Sequence, residues 1–187
     1  MMNPALIILD MANGYGWKPG SFGYEMVEKV KTLKDAAHSA GLPVIHVNSL
    51  RRISDNVGEW DKVLMKEKSD AIEVIPELHP VDRDIIVYKR YLSGFSYNDL
   101  DYVLRTLNCD TVLIAGASTD NTVLWTSADA FQLRYKVVVV EDCTMVHRES
   151  EPPEVKEYAL RIVRNVLHSK VLPLSDVVNS YMNFNSK

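Results

Sequence analysis

Short runs of apolar, β-branched residues alternate along this chain with longer stretches in which apolar residues recur at helical spacing. Runs that are apolar at nearly every position read as strands buried on both faces, and their alternation with helical segments is the pattern of βαβ units around a parallel sheet. Strands are expected at Ala5 to Leu9, Val44 to Val47, Ile85 to Tyr88, Thr111 to Ala115, Lys136 to Val140 and, shortest, Lys170 to Pro173. Helices are expected at about Tyr24 to Ala40, stopped by Gly41 and Pro43, then at Ser96 to Leu107, Asn121 to Arg134 and Pro153 to Leu167. Each crossover is long enough to lie as a helix on a sheet face. Between Ser49 and Leu78 charged residues interrupt the pattern, and a short helix near Asp61 to Lys68 is the one regular element expected there. The result is a doubly wound α/β sheet of six mainly parallel strands.

Composition narrows this picture only a little. A chain of 187 residues fits one domain, 1–187, which buries roughly 70% of the surface its unfolded form exposes. It is 47% hydrophobic and 25% charged, without a linker or low-complexity tract, so nothing suggests disorder. A net charge of -4 offers no broad attraction to phosphate backbones or anionic lipid, which argues against nucleic acid and membrane as partners. No apolar stretch approaches the ~20 residues of a membrane helix. The chain opens Met-Met-Asn-Pro without the features of a signal peptide, and a cytoplasmic location is the expectation. Cys109 and Cys143 match no metal-ligand spacing and are expected as reduced thiols.

In open parallel sheets ligands bind beyond the carboxyl ends of the strands, so the residues just after each strand carry the candidate chemistry. Asp10 closes the first strand in Leu-Ile-Ile-Leu-Asp, either as a general acid or base or as the cap of the following turn. Lys89 closes the third strand, either as the partner that holds Asp10 ionised and steadies a developing oxyanion or as a snorkelling surface lysine beside Arg90. The fourth strand runs into Ala-Gly-Ala-Ser-Thr-Asp-Asn-Thr-Val, a small-residue turn opening a helix, with Asp120 as the expected N-cap and Thr122 in the first turn. Such a turn exposes backbone N–H groups and a helix dipole that favour an oxyanion. It also serves as a plain tight connection.

Taken together, these residues resemble the isochorismatase-like hydrolase superfamily, also called cysteine hydrolases. Asp10 lies in Leu-Asp-Met-Ala-Asn-Gly, similar to the family's Asp-x-Gln-Asn; Lys89 lies in Tyr-Lys-Arg-Tyr-Leu-Ser-Gly-Phe, similar to its lysine segment. Gly116 to Val123 is similar to its Gly-x-x-Thr-x-x-Cys-Val, and Thr126 to Ala130 continues as its Thr-Ala-x-Asp-Ala helix. The resemblance implies a three-layer α/β/α, Rossmann-like fold, hydrolysis of a carbon–nitrogen bond in a small amide or ureido compound, and a triad of aspartate, lysine and cysteine. It also implies a non-proline cis peptide between Ala117 and Ser118, turning N–H groups toward an oxyanion, and assembly into a homo-oligomer. Pro-Val-Ile-His-Val-Asn and Val-Ile-Pro-Glu-Leu look most like the N-carbamoylsarcosine amidase-like branch.

Two departures from the family pattern matter. The nicotinamidase branch binds a metal through Asp-x-His-x-x-His after the second strand, where this chain reads Asn48-Ser49-Leu50-Arg51-Arg52. No metal and no cofactor are expected, and His46 and His79 are read as structural. At the cysteine position stands Thr122, an alcohol far weaker as a nucleophile than a thiolate. Three readings follow: an amidase in which Asp10 deprotonates Thr122 or a water; a vinyl-ether hydrolase of the isochorismatase type with Asp10 as general acid; or a non-catalytic relative that binds a small molecule or a protein. Substrate selection is expected from Asn13, Tyr15, Trp17 and Trp60, while Arg51 and Arg52 read first as a solvated basic pair and second as partners of a substrate carboxylate.

Overall fold

The computed structural model describes residues 2–51 and 69–182. The expected helix near Asp61 to Lys68, together with Arg52 and Trp60, lies outside the described residues. Six strands form one sheet: β1 (Pro4–Leu9), β2 (Val44–Ser49), β3 (Ile85–Lys89), β4 (Thr111–Ala117), β5 (Lys136–Met145) and β6 (Lys170–Leu172). Their order is β3-β2-β1-β4-β5-β6, and every pairing is parallel. The described helices are α1 (Tyr24–Ser39), α2 (Leu100–Thr106), α3 (Leu124–Gln132), α4 (Glu154–Asn165) and α5 (Leu174–Tyr181). No described helix is long and apolar enough to cross a membrane.

Strand side chains point alternately to the two faces, and both faces are covered. Leu6, Ile8, Leu113, Ala115, Val138 and Val140 pack with Val27, Val30 and Leu33 of α1 and Val177 and Tyr181 of α5. Ile7, Leu9, Val112, Ile114 and Val139 pack on the other face with Leu100 and Leu104 of α2, Val123 and Ala130 around α3, and Leu160 and Val163 of α4. This is the three-layer α/β/α arrangement that the resemblance implied. Strand order reverses between β1 and β4, so the chain leaves these neighbours in opposite directions and opens a crevice at their carboxyl ends.

Several boundaries differ from the sequence expectation. The second helix begins only at Leu100, because Tyr97 takes a left-handed φ of 55° and Asn98 Oδ1 accepts the Leu100 N–H. The third begins as a π-helical turn, Thr119–Val123, before α3 proper. β5 continues past Val140 to Met145, its pairing with β4 shifting register between Ile114 and Gly116, and α5 was not expected at all.

At the crevice β1 and β4 approach closely at Gly116, which has φ 107°. A Cβ there would lie 2.1 Å from the Leu9 carbonyl oxygen, so only glycine fits. Away from the crevice, Lys34 and His38 of α1 and His46 of β2 surround the buried carboxylate of Asp84. Lys34 Nζ is 3.5 Å from Asp84 Oδ2, His38 Nε2 2.7 Å from Oδ1, and His46 Nε2 3.7 Å from Oδ2. Burial pushes the Asp84 carboxyl up, but the Val81 N–H, His38 and Lys34 outweigh it and leave a net downward shift. Burial lowers His46 to about 4, reinforced by Lys34 and only partly opposed by Asp84.

Two outcomes are expected. Gly116→Ala should lower stability by at least about 3 kcal/mol in urea unfolding, since both backbone and contact are violated. The unfolded state takes up the His46 proton near the ordinary 6.5 while the native state resists to about 4. Stability present above pH 6.5 is therefore lost as pH falls toward 4, by up to about 3 kcal/mol. His46→Leu should flatten that slope in pH-dependent denaturation; an unchanged slope would remove His46 as its source.

Candidate active site

Asp10 follows β1 directly, with φ 53° and its N–H held by the Val47 carbonyl at 3.0 Å. This left-handed step is one that aspartate tolerates better than most residues. Its side chain is buried, and both carboxylate oxygens are filled. Oδ1 accepts from the Ser49 N–H and the Ser49 hydroxyl, each at 3.0 Å. Oδ2 accepts from Lys89 Nζ at 2.9 Å and from the Thr122 hydroxyl at 3.0 Å. The three residues expected to carry the chemistry are thus brought into direct contact.

Lys89 is 1% exposed and lies opposite Ser49 in the β2–β3 register. Besides Asp10, its ammonium donates to Ser49 Oγ at 2.9 Å and to the Tyr91 carbonyl at 3.0 Å. These acceptors match its three donors, so the lysine is built to hold Asp10 and is not a snorkelling surface residue. Ser49 bridges the two, donating to the carboxylate and accepting from the ammonium. Sequence reading passed over it, because a serine at a strand end carries no signal until β1, β2 and β3 are aligned.

Thr122 sits in the π-helical turn, where the Val123 N–H reaches back to the Ser118 carbonyl at 3.0 Å. Widened turns of this kind are frequent at functional sites. The Ala117–Ser118 peptide bond is cis. Asp120 makes no N-cap hydrogen bond; its Oδ1 instead accepts the His147 N–H at 3.0 Å, fastening the turn to the segment after β5.

Above this cluster opens a pocket of about 300 Å³, near the lower end for small-molecule sites. Asp10, Ser49, Lys89, Ala117, Ser118 and Thr122 line it at the strand ends. Tyr15, Trp17, Phe22, Leu92 and Met145 form its apolar wall, and Arg51, Asn121 and His147 add polar groups. Trp17 also donates from Nε1 to the Asp10 carbonyl at 3.4 Å. Asn13 does not line the pocket, because its side-chain amide is bound to the Asp70 carbonyl at 3.1 Å. Arg51 is not a solvated residue: it is 5% exposed, with Nη1 3.5 Å from the Lys89 carbonyl.

Neither cysteine takes part. Cys143 is buried and its thiol is pushed up to about 12 by burial first and Asp142 second. Burial also raises Cys109, so both stay protonated and unreactive near neutral pH. Among the described residues, no group of three or more His, Cys, Asp or Glu side chains is placed to hold a metal ion.

The chain is 26% identical over 183 residues to the isochorismatase family protein YaaI of Bacillus subtilis (strain 168), covering 93% of this chain and 96% of that protein. It is 29% identical over 165 residues to a maleamate amidohydrolase of Pseudomonas putida, covering 81% and 76% of the two chains. Among solved structures, N-carbamoylsarcosine amidase from Thermoplasma acidophilum superposes with a TM-score of 0.81 at 29% identity, covering 92% of this chain and 97% of that one. The Isochorismatase domain model matches residues 4–167, and the chain therefore belongs to the isochorismatase family of hydrolases.

Proposed function

We propose that this protein hydrolyses a carbon–nitrogen bond in a small amide or ureido compound, using Asp10, Lys89 and Thr122 and no metal. One observation carries the reading: the Thr122 hydroxyl donates to the same Asp10 oxygen that Lys89 holds, beside the turn at Ala117 and Ser118 and within a small pocket. An alcohol needs an adjacent base to act as a nucleophile, and a carboxylate 3.0 Å away is such a base. The relatives named as a maleamate amidohydrolase and an N-carbamoylsarcosine amidase support the choice of bond.

In the proposed reaction Asp10 Oδ2 takes the Thr122 proton as Oγ attacks the amide carbon. The carbonyl π pair moves onto oxygen, where backbone N–H groups of the Ser118 turn receive it. Collapse of the tetrahedral intermediate breaks the carbon–nitrogen bond, and Asp10 returns the proton to the leaving nitrogen. The acyl group is left as an ester on Thr122. Water then attacks that ester while Asp10 accepts its proton, and expulsion of Thr122 with return of the proton restores the resting state. Lys89 stays in place throughout, since its donors are committed to Asp10, Ser49 and Tyr91. Vinyl-ether hydrolysis would require Asp10 to supply a proton from an oxygen that already accepts two hydrogen bonds, one from an ammonium. The amide reaction starts instead with that oxygen receiving the Thr122 proton along a hydrogen bond already in place, and returns the same proton in a later step.

A panel of N-carbamoyl amino acids, small monoamides and isochorismate, assayed for product release, tests this reading. Turnover of an amide or ureide is expected to survive a chelator and to fall at least about 1,000-fold in Asp10→Asn. Thr122→Ala should cost at least about 100-fold, whereas a water-only route would leave it within about tenfold; Thr122→Cys should be faster than the native chain. Full activity in Asp10→Asn overturns the mechanism, and turnover of isochorismate alone transfers it to vinyl ethers. Ser49→Ala, which removes one hydrogen bond from Asp10 and one from Lys89, is expected to lower kcat about tenfold with little change in KM. A change confined to KM would assign Ser49 to binding.

A further inference from the structure

We propose that the outer face of α3 and α4 is the surface through which two copies of this chain associate, with α4 of one copy laid antiparallel on α4 of the other. The two layers that cover the sheet differ on their outer sides. Among the described residues, α1 and α5 carry no exposed large hydrophobic side chain, whereas Trp125 and Phe131 of α3 and Tyr158 and Ile162 of α4, followed by Val166 at its end, are all exposed. Trp125 is 52% exposed, Tyr158 61% and Val166 63%. Apolar side chains scattered singly over a surface need no explanation, but a contiguous set marks a place of contact.

These five are contiguous. Right-handed crossovers set α3 and α4 side by side on the sheet, running in the same direction and in contact. Ser127 and Ala130 of α3 and Leu160 and Val163 of α4 are turned inward, so the repeat of about 3.6 residues points Phe131, Ile162 and Val166 toward the shared seam and sets Trp125 and Tyr158 on the crests. Among the described residues, neither Trp125 Nε1 nor the Tyr158 hydroxyl makes a hydrogen bond, and aromatic side chains with a polar tip are those enriched at protein interfaces. Charge selects the occupant. Glu154 and Arg161 stand exposed on the crest of α4, about two turns apart with Tyr158 between them. Among the described residues neither makes an ion pair, whereas Arg164 is already paired with Glu157 on the outer flank. A two-fold axis lying in the interface across α4 brings Glu154 of each copy against Arg161 of the other and gathers the aromatic residues at the axis. The same helix thus supplies both halves of the match. A face carrying charges of both signs on a chain of net charge -4 has no such complement in an anionic lipid surface.

A face about two helices wide and, at the 12 residues of α4, about 18 Å long is small for a dimer, so reversible association in the micromolar range is expected. Sedimentation velocity of the full chain from about 1 to about 200 μM tests it, and because no substrate is needed the result is independent of the proposed reaction. The native protein should pass from monomer to dimer across that range. Ile162→Asp should leave it monomeric throughout with an unchanged thermal melt, since the side chain it replaces is exposed in the single chain. Glu154→Lys and Arg161→Glu should each weaken the dimer at least about tenfold. The double variant, which sets each charge opposite its complement again, should return to within about threefold of the native dissociation constant. A tighter assembly that Ile162→Asp dissociates supports the same face. A native chain that stays monomeric over the whole range overturns the proposal, and so does an assembly that Ile162→Asp leaves intact, because the contact then lies elsewhere. A double variant no tighter than the single ones overturns the antiparallel arrangement.

Discussion

A carboxylate buried where β1 meets β4 must be surrounded by donors, and much of the molecule is arranged around that requirement. The donors to Asp10 come from the end of β2, the end of β3 and the turn after β4, at positions 39 to 112 residues away in the chain. A buried charge left with a missing partner costs several kcal/mol, so each of these contacts is also a constraint on strand alignment. Lys89 obeys the same logic in reverse: its ammonium is satisfied only when β2 and β3 are in register and the loop at Tyr91 folds back. The Asp10 cluster and the sheet alignment are one set of interactions.

The two parts of the site are built differently. Asp10, Ser49, Lys89 and Thr122 stand at strand ends or the adjoining helical turn, where the backbone is fixed by the ladder and the core. The side chains that wall the pocket stand on the connections: Tyr15, Trp17 and Phe22 between β1 and α1, Leu92 after β3, His147 after β5. Rigid elements hold the atoms that must meet at bonding distance, and loops, which vary without disturbing the core, set what is admitted. The Gly94 N–H bound to Thr126 Oγ1 at 2.8 Å shows how a connection is tied down on α3.

The sequence made the strand centres legible because Leu6 to Leu9 and Val112 to Ala115 are apolar at every position, which only a sheet covered on both faces requires. From there the topology exposes Asp10 and Lys89 as strand-end residues and Thr122 as part of the turn that follows β4. Glu141 and Asp142 concealed the second half of β5, whose continuation depends on a register shift against β4. Helix α5 carries an apolar stripe of Leu174, Val177, Val178 and Tyr181 on the core, but at eight residues it is shorter than the window in which a helical period stands out. Arg51 was misread because two adjacent arginines look solvated, and its burial is decided by a pocket assembled from distant segments. Asn13 pointed the other way: its local setting suggested the pocket, but the Asp70 carbonyl took its amide.

The threonine at position 122 and the burial of both cysteines have a common consequence. A thiol-dependent hydrolase carries its oxidation state into its catalysis: the first step from thiolate to sulfenic acid silences it until a reductant intervenes. Here the nucleophile of the proposed reaction is an oxygen, and Cys109 and Cys143 are sequestered and protonated. On the proposed mechanism, chemistry run from Thr122 is uncoupled from the redox poise of its surroundings, at the cost of a weaker nucleophile.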